Sequence, residues 1–197
     1  MNFLRRVFDT SYELSQKDPT RSPVFVYCKL VEEISELSDV YHGIAASEPL
    51  NGEIADVIIS ALDLLYLTEY HDVQHNGSMT KDEIFDSMLF ALSHTQRGEC
   101  DNTHHTLEED WFIWGVDKPI KNLAYITHYQ GRVTRLLNQP QRSDDDMVYL
   151  INKIIHYTGR MAVSAGAENL VYPNETSIKV EQAFAFKVNK WRGKFGL

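Results

Sequence analysis

The sequence predicts an all-α protein, a bundle of helices with no sheet. Two observations carry this. Apolar residues recur at intervals of three and four along most of the chain, the spacing of one face of a helix. The segments so defined are separated by clusters of Pro, Gly, Asn and Asp, and no stretch shows the strict alternation of a half-buried strand.

The elements follow in order. Residues 2–17 place Phe3, Leu4, Val7, Phe8, Tyr12 and Leu14 at roughly helical spacing, and the turn DPTRSP ends that helix. Pro23 opens the next, about Val24 to Tyr41, in the first-turn position that tolerates proline. Its apolar stripe is Val24, Tyr27, Leu30, Val31, Ile34, Leu37 and Val40. The connection GIAASEPLNG is short, so the third helix, about Gly52 to His71, runs antiparallel to the second. The segment DVQHNGSM reads as a loop. TKDE from Thr80 resembles a capping box and opens a helix that ends near Gly98. Residues 98–118 lack periodicity and read as a linker with an aromatic cluster at its end. Three helices follow: about Ile120 to Asn138, about Asp144 to Ala165 with DDD at its start, and about Glu175 to Lys194 after the turn YPN.

The chain of 197 residues suffices for one domain with a real core. A net charge of -9 argues against broad nucleic-acid or membrane-surface binding, which needs a basic face. Two cysteines, Cys28 and Cys100, form no CxxC pattern, so a reducing compartment is expected. No run of apolar residues is long enough for a membrane span, and the N-terminal stretch lacks a signal-peptide pattern. A cytoplasmic protein is the expectation.

Function points to Lys29–Leu65. The first helix of this stretch carries Glu33 and Glu36, with Glu32 just before them, and the second carries Glu53 and Asp56. Residues three apart share a helix face, so each pair points one way and the two pairs converge. The second helix is apolar nearly all round, which marks it as buried. Ionised carboxylates in such a wall are costly unless a cation compensates them. Mg²⁺, a hard cation that takes oxygen ligands and bridges them to phosphates, resolves the repulsion; Mn²⁺ is the expected substitute. An acidic pair alone is more often a solvated face or a complement to the helix dipole. The combination on two consecutive helices favours the metal site.

EEISE (Glu32–Glu36) followed by EIAD (Glu53–Asp56) resembles the EExxE…ExxD signature of the MazG-like and dimeric-dUTPase-like all-α nucleoside triphosphate pyrophosphohydrolases, and Lys29 ahead of the paired glutamates fits it. The resemblance implies a helical bundle of that type and a Mg²⁺-dependent enzyme that cleaves an NTP or dNTP to the monophosphate and pyrophosphate. It makes Glu33, Glu36, Glu53 and Asp56 the metal ligands, Glu32, Glu33 and Glu36 the catalytic carboxylates, and Lys29 a substrate contact. It also implies assembly as a dimer or tetramer. The tail KVNKWRGKFG is similar to the family's basic NxxR tail through Asn189 and Arg192; the usual lysine position is Ala185 here, and Lys187 is the substitute. The other reading of this tail is a basic helix end complementing its own dipole.

The second half, 119–197, repeats the plan of 20–98: helix, short loop, long helix, loop, helix. This suggests a tandem arrangement with the carboxylates kept in one half. Arg132 and Arg135 stand where the first half has its acidic pair, and Lys153, His156 and Arg160 form a basic stripe on the long helix. Asp63 has two readings, a further ligand or a salt bridge to the second half. Trp111, Phe112, Trp114, Tyr125, Tyr129 and Trp191 are candidates to stack on a base, though such residues are more often core. His71 with His75, and Cys100 with His104 and His105, lack the further ligands a zinc site needs. A catalytically inactive helical module that binds nucleotides or partners is the alternative function.

Overall fold

The computed structural model describes residues 2–44, 48–94, 117–139, 146–168 and 173–197. Among these the chain is all-α, with eight helices and no strand. They are α1 (Asn2–Lys17), α2 (Pro23–His42), α3 (Leu50–Glu69), α4 (His71–Asn76), α5 (Lys81–His94), α6 (Pro119–Asn138), α7 (Met147–Glu168) and α8 (Pro173–Lys194).

α3 is the axis of the bundle. It packs against α1, α2, α7 and α8, and its side chains from Val57 to Leu67 are buried apart from Ser60. This burial follows from IADVIISALDLLYL, which is apolar around most of its circumference, its polar residues Asp56, Ser60 and Asp63 falling on one narrow stripe. The core around it includes Phe8, Leu30, Leu37, Ile58, Leu62, Tyr66, Ile84 and Phe184. Phe8 meets the Tyr66 ring edge-on at 5.7 Å.

Local chemistry sets the ends. Pro23 occupies the first turn of α2, and Gly43 ends that helix with φ 66°, a left-handed cap that glycine adopts without strain. The capping box of α5 is present: Thr80 N–H donates to Glu83 Oε2 at 2.7 Å and Glu83 N–H donates to Thr80 Oγ1 at 3.3 Å. Asp146 Oδ1 accepts from Tyr149 N–H at 2.9 Å at the start of α7. One segment departs from the sequence reading. DVQHN joins His71 in the six-residue α4 instead of forming a loop, because no helix breaker precedes Gly77, whose φ of 68° ends it. α2 and α6, of 20 residues each, begin on proline, and each packs on the helix after it. The linker 98–116, with Cys100, His104, His105, Trp111, Phe112 and Trp114, lies outside the described residues, as do Asp144 and Asp145. No described helix is long and apolar enough to cross a membrane.

Candidate metal centre

α2, α3 and α8 each turn one stripe into a common cleft of about 780 Å³, which the end of α1 and the α1–α2 connection also line. α2 supplies Phe25, Lys29, Glu33 and Glu36, and α3 supplies Glu53, Asp56, Ser60 and Asp63. Both sets follow helical spacing, so one face of each helix makes its wall. α8 closes the cleft with Lys187, Lys190, Trp191 and Lys194.

At one end of the cleft, Glu33, Glu53 and Asp56 each present a carboxylate oxygen, and the three oxygens lie within 4.8 Å of one another. Glu33 and Glu53 are buried, and Asp56 is partly so. Burial pushes the Glu33 carboxyl up to about 7, against the hydrogen bond from Lys29. Burial also raises Glu53, against the Lys187 charge, and Asp56, against its hydrogen bond from Lys187. Burial thus disfavours the charged form of all three carboxyls, and a bound cation would offset that cost. Glu53 Oε2 is fully enclosed and has no hydrogen-bond partner. An enclosed carboxylate oxygen without a donor, beside two more hard oxygen ligands, fits a divalent cation such as Mg²⁺.

Cations flank the cluster. Lys29 Nζ bridges Glu33 at 2.8 Å and Glu32 at 3.0 Å. Lys187 Nζ pairs with both Asp56 and Glu48; burial disfavours its charge, and those two hydrogen bonds outweigh the penalty and raise its pKa. Gly52 lies close beneath this pair. A Cβ there would lie 3.2 Å from Glu48 Oε2 and 3.4 Å from Lys187 Cε.

The sequence-predicted residues divide as follows. Glu33, Glu53 and Asp56 come together. Glu36 lines the cleft but is exposed and outside the three-oxygen cluster. Glu32 points outward to Lys29 and does not line the cleft. Lys29 and Lys187 line it. Asn189 and Arg192 do not: Asn189 Oδ1 accepts from Arg6 at 2.7 Å, and Arg192 donates to Glu13 Oε2 at 2.7 Å and Thr10 Oγ1 at 3.2 Å. These two residues lie roughly 200° and 140° around the helix from Lys187, on the face that packs against α1. Asp63 pairs at 2.5 Å with Arg21 from the α1–α2 connection, not with a basic residue of the second half. Lys153, His156 and Arg160 do not line the cleft; Arg160 reaches Asp117 at 3.5 Å. Of the base-stacking candidates, Tyr125 and Tyr129 stack on Tyr157 at 4.4 and 5.8 Å, whereas Trp191 lines the cleft.

Glu48, Arg21, Gly52 and Lys190 were not singled out from sequence. For Lys190 the signal is present, since 187, 190 and 194 share one helical face. For Glu48 and Arg21 none is, because their partners are fixed only by tertiary packing. No protein-family model, curated protein or solved structure matches this chain.

Proposed function

We propose that the protein is a Mg²⁺-dependent nucleoside triphosphate pyrophosphohydrolase, which hydrolyses an NTP or dNTP to the monophosphate and pyrophosphate in control of the nucleotide pool. The observation that carries this reading is the convergence of Glu33, Glu53 and Asp56 at one end of a cleft whose other wall is lysine-rich. Bound there, Mg²⁺ supplies charge neutralisation for phosphate oxygens and acidifies a water. Glu33, Glu53 and Asp56 would hold it, and Glu36, exposed in the cleft, would complete the set or orient the attacking water. Lys29 fixes Glu33 by their ion pair, and Lys187 is placed to exchange Asp56 for a phosphate oxygen. Water adds to the α-phosphorus and gives its proton to a cleft carboxylate and then to solvent, the bond to the bridging oxygen of the β-phosphate breaks, and pyrophosphate leaves with that bond's electron pair. Such chemistry is mostly positioning and electrostatics, which the three stripes of the cleft can supply. The repeated plan of α2–α3 and α6–α7 supports a duplicated bundle, in which one chain builds what two copies build in the resembled family.

A second reading is favoured by one observation. Lys187 already delivers a positive charge to Asp56 and Glu48, which suits a nucleotide-binding module that neutralises its acids without a metal. Product analysis separates the two. Incubation with each NTP and dNTP and Mg²⁺ is expected to give monophosphate and pyrophosphate. Diphosphate and orthophosphate would contradict the assigned bond, and Mg²⁺-independent binding without products would favour the module.

A further inference from the structure

α8 turns Lys187, Lys190, Trp191 and Lys194 into the cleft, spaced i, i+3, i+4 and i+7, and Phe195 in the turn after the helix lines it as well. The stripe contains no acid. Its first lysine reaches the carboxylate cluster through Asp56, so the rest of the stripe extends away from it along the cleft. Lys190 touches only the outlying Glu48, at 3.2 Å, and Lys194 has no ion pair among the described residues. Two aromatic side chains lie between and beyond these ammonium groups, and α2 adds a third, Phe25, to the same cleft. Phe25 is 74% exposed and Phe195 48% exposed. Large aromatic surfaces open to a charged cleft have a cost in water and mark a place for an apolar, flat ligand group. Phe195 is held in place there: Lys17 Nζ donates to its carbonyl oxygen at 3.3 Å and to that of Gly196 at 2.9 Å.

We infer that this stripe is the subsite for the part of the nucleotide that the carboxylates do not hold. Lys190 and Lys194 take the charge of the phosphate chain, and Trp191, with Phe195 and Phe25 at the rim, stacks on the base. The identity of the ligand rests on the pyrophosphohydrolase reading; the geometry itself requires a polyanion with an aromatic end. A stacking face accepts any base, so the subsite confers affinity for nucleosides over bare phosphate chains rather than choice among bases.

The test compares two probes by calorimetry in the presence of Mg²⁺: inorganic tripolyphosphate and the α,β-methylene analogue of ATP, which the assigned cleavage cannot consume. Wild type is expected to bind the nucleotide analogue about tenfold more tightly, from stacking. Trp191→Ala should bring that ratio close to one, with tripolyphosphate affinity kept within about twofold. Trp191→Phe should restore most of it, which a merely structural role would not do. Phe195→Ala, on the exposed rim, should lower the ratio without touching the core. Replacing Lys190 and Lys194 together by Ala should weaken both probes alike. Equal binding of the two probes by wild type, an unchanged ratio in Trp191→Ala, or no binding of either probe would overturn the assignment. A preserved ratio in a protein that releases no pyrophosphate from any nucleotide would instead contradict the pyrophosphohydrolase reading and leave the stripe supported.

Discussion

Glu33 is buried next to two other acids, and its carboxyl is raised from 4.5 to about 7 by that burial. Glu53 and Asp56 are raised for the same reason. The folded state therefore binds more protons than the unfolded chain between about 4.5 and about 7, and its stability falls as pH rises through that window. For Glu33 alone the effect is on the order of 3 kcal/mol. Thermal melts of metal-free protein should show a lower midpoint at pH 8 than at pH 5, and Mg²⁺ at pH 8 should recover the difference. A midpoint indifferent to pH and to Mg²⁺ would contradict the buried cluster.

Lys187 carries a related prediction. Its ammonium compensates Asp56 and Glu48. Replacing it by Met leaves Asp56 unpaired, with Glu48 keeping only Lys190, and breaking a buried pair costs on the order of 3 kcal/mol. The loss should appear as a lower melting temperature in metal-free Lys187→Met and should shrink when Mg²⁺ is added. If Mg²⁺ gives no recovery, the lysine is the site's resident cation and the module reading gains.

At the scale of elements, the cleft depends on how α1, α2 and α8 are held to α3. Arg21 is the clamp on one side. It donates to Asp63 Oδ2, to Ser15 Oγ at 3.3 Å and to the Ser11 carbonyl at 3.4 Å, tying the α1–α2 connection to α3. Both partners are largely buried, and Asp63 Oδ1 has no other partner. Arg21→Met should cost about 3 kcal/mol of stability, read from denaturant melts. Asp63→Asn should weaken folding while leaving Mg²⁺ affinity within about twofold of wild type, because the carboxylate serves Arg21. A tenfold loss of Mg²⁺ affinity in Asp63→Asn would make Asp63 a ligand after all. On the other side, Asn189 and Arg192 tie α8 to α1 through Arg6, Thr10 and Glu13. That attachment fixes the rotation of α8 and so presents the stripe from Lys187 to Phe195 to the cleft.

For the whole molecule, the helical class was legible because its signals are local. Proline at the start of α2, the reciprocal bonds of Thr80 and Glu83, and the apolar circumference of α3 are read within one or two turns. The acidic stretch was legible for the same reason, since spacing alone puts Glu33 on one face and Glu53 with Asp56 on another. What failed was rotation and pairing at long range. The motif resemblance drew attention to Asn189 and Arg192, but the packing of α8 on α1 turns them away and brings in Lys190, Trp191 and Lys194 instead. Glu48 and Arg21 carry no local mark at all; only the meeting of α3 with its neighbours gives them partners. α4 was hidden because DVQHN runs into the pair Asn76-Gly77, which reads as a turn whether or not a helical turn precedes it.

The proposed function requires that the carboxylates of Glu33, Glu53 and Asp56, brought together by α2 and α3, seat a divalent cation. The most direct measurement is titration of the protein with Mn²⁺, followed by loss of the free-ion paramagnetic signal, for wild type and Glu53→Gln. The variant is nearly isosteric and should keep the wild-type helical content by circular dichroism. Wild type should bind Mn²⁺ in competition with Mg²⁺, and the variant should bind it at least about tenfold more weakly. Failure of wild type to bind the ion, or equal binding by a folded Glu53→Gln protein, would contradict the account.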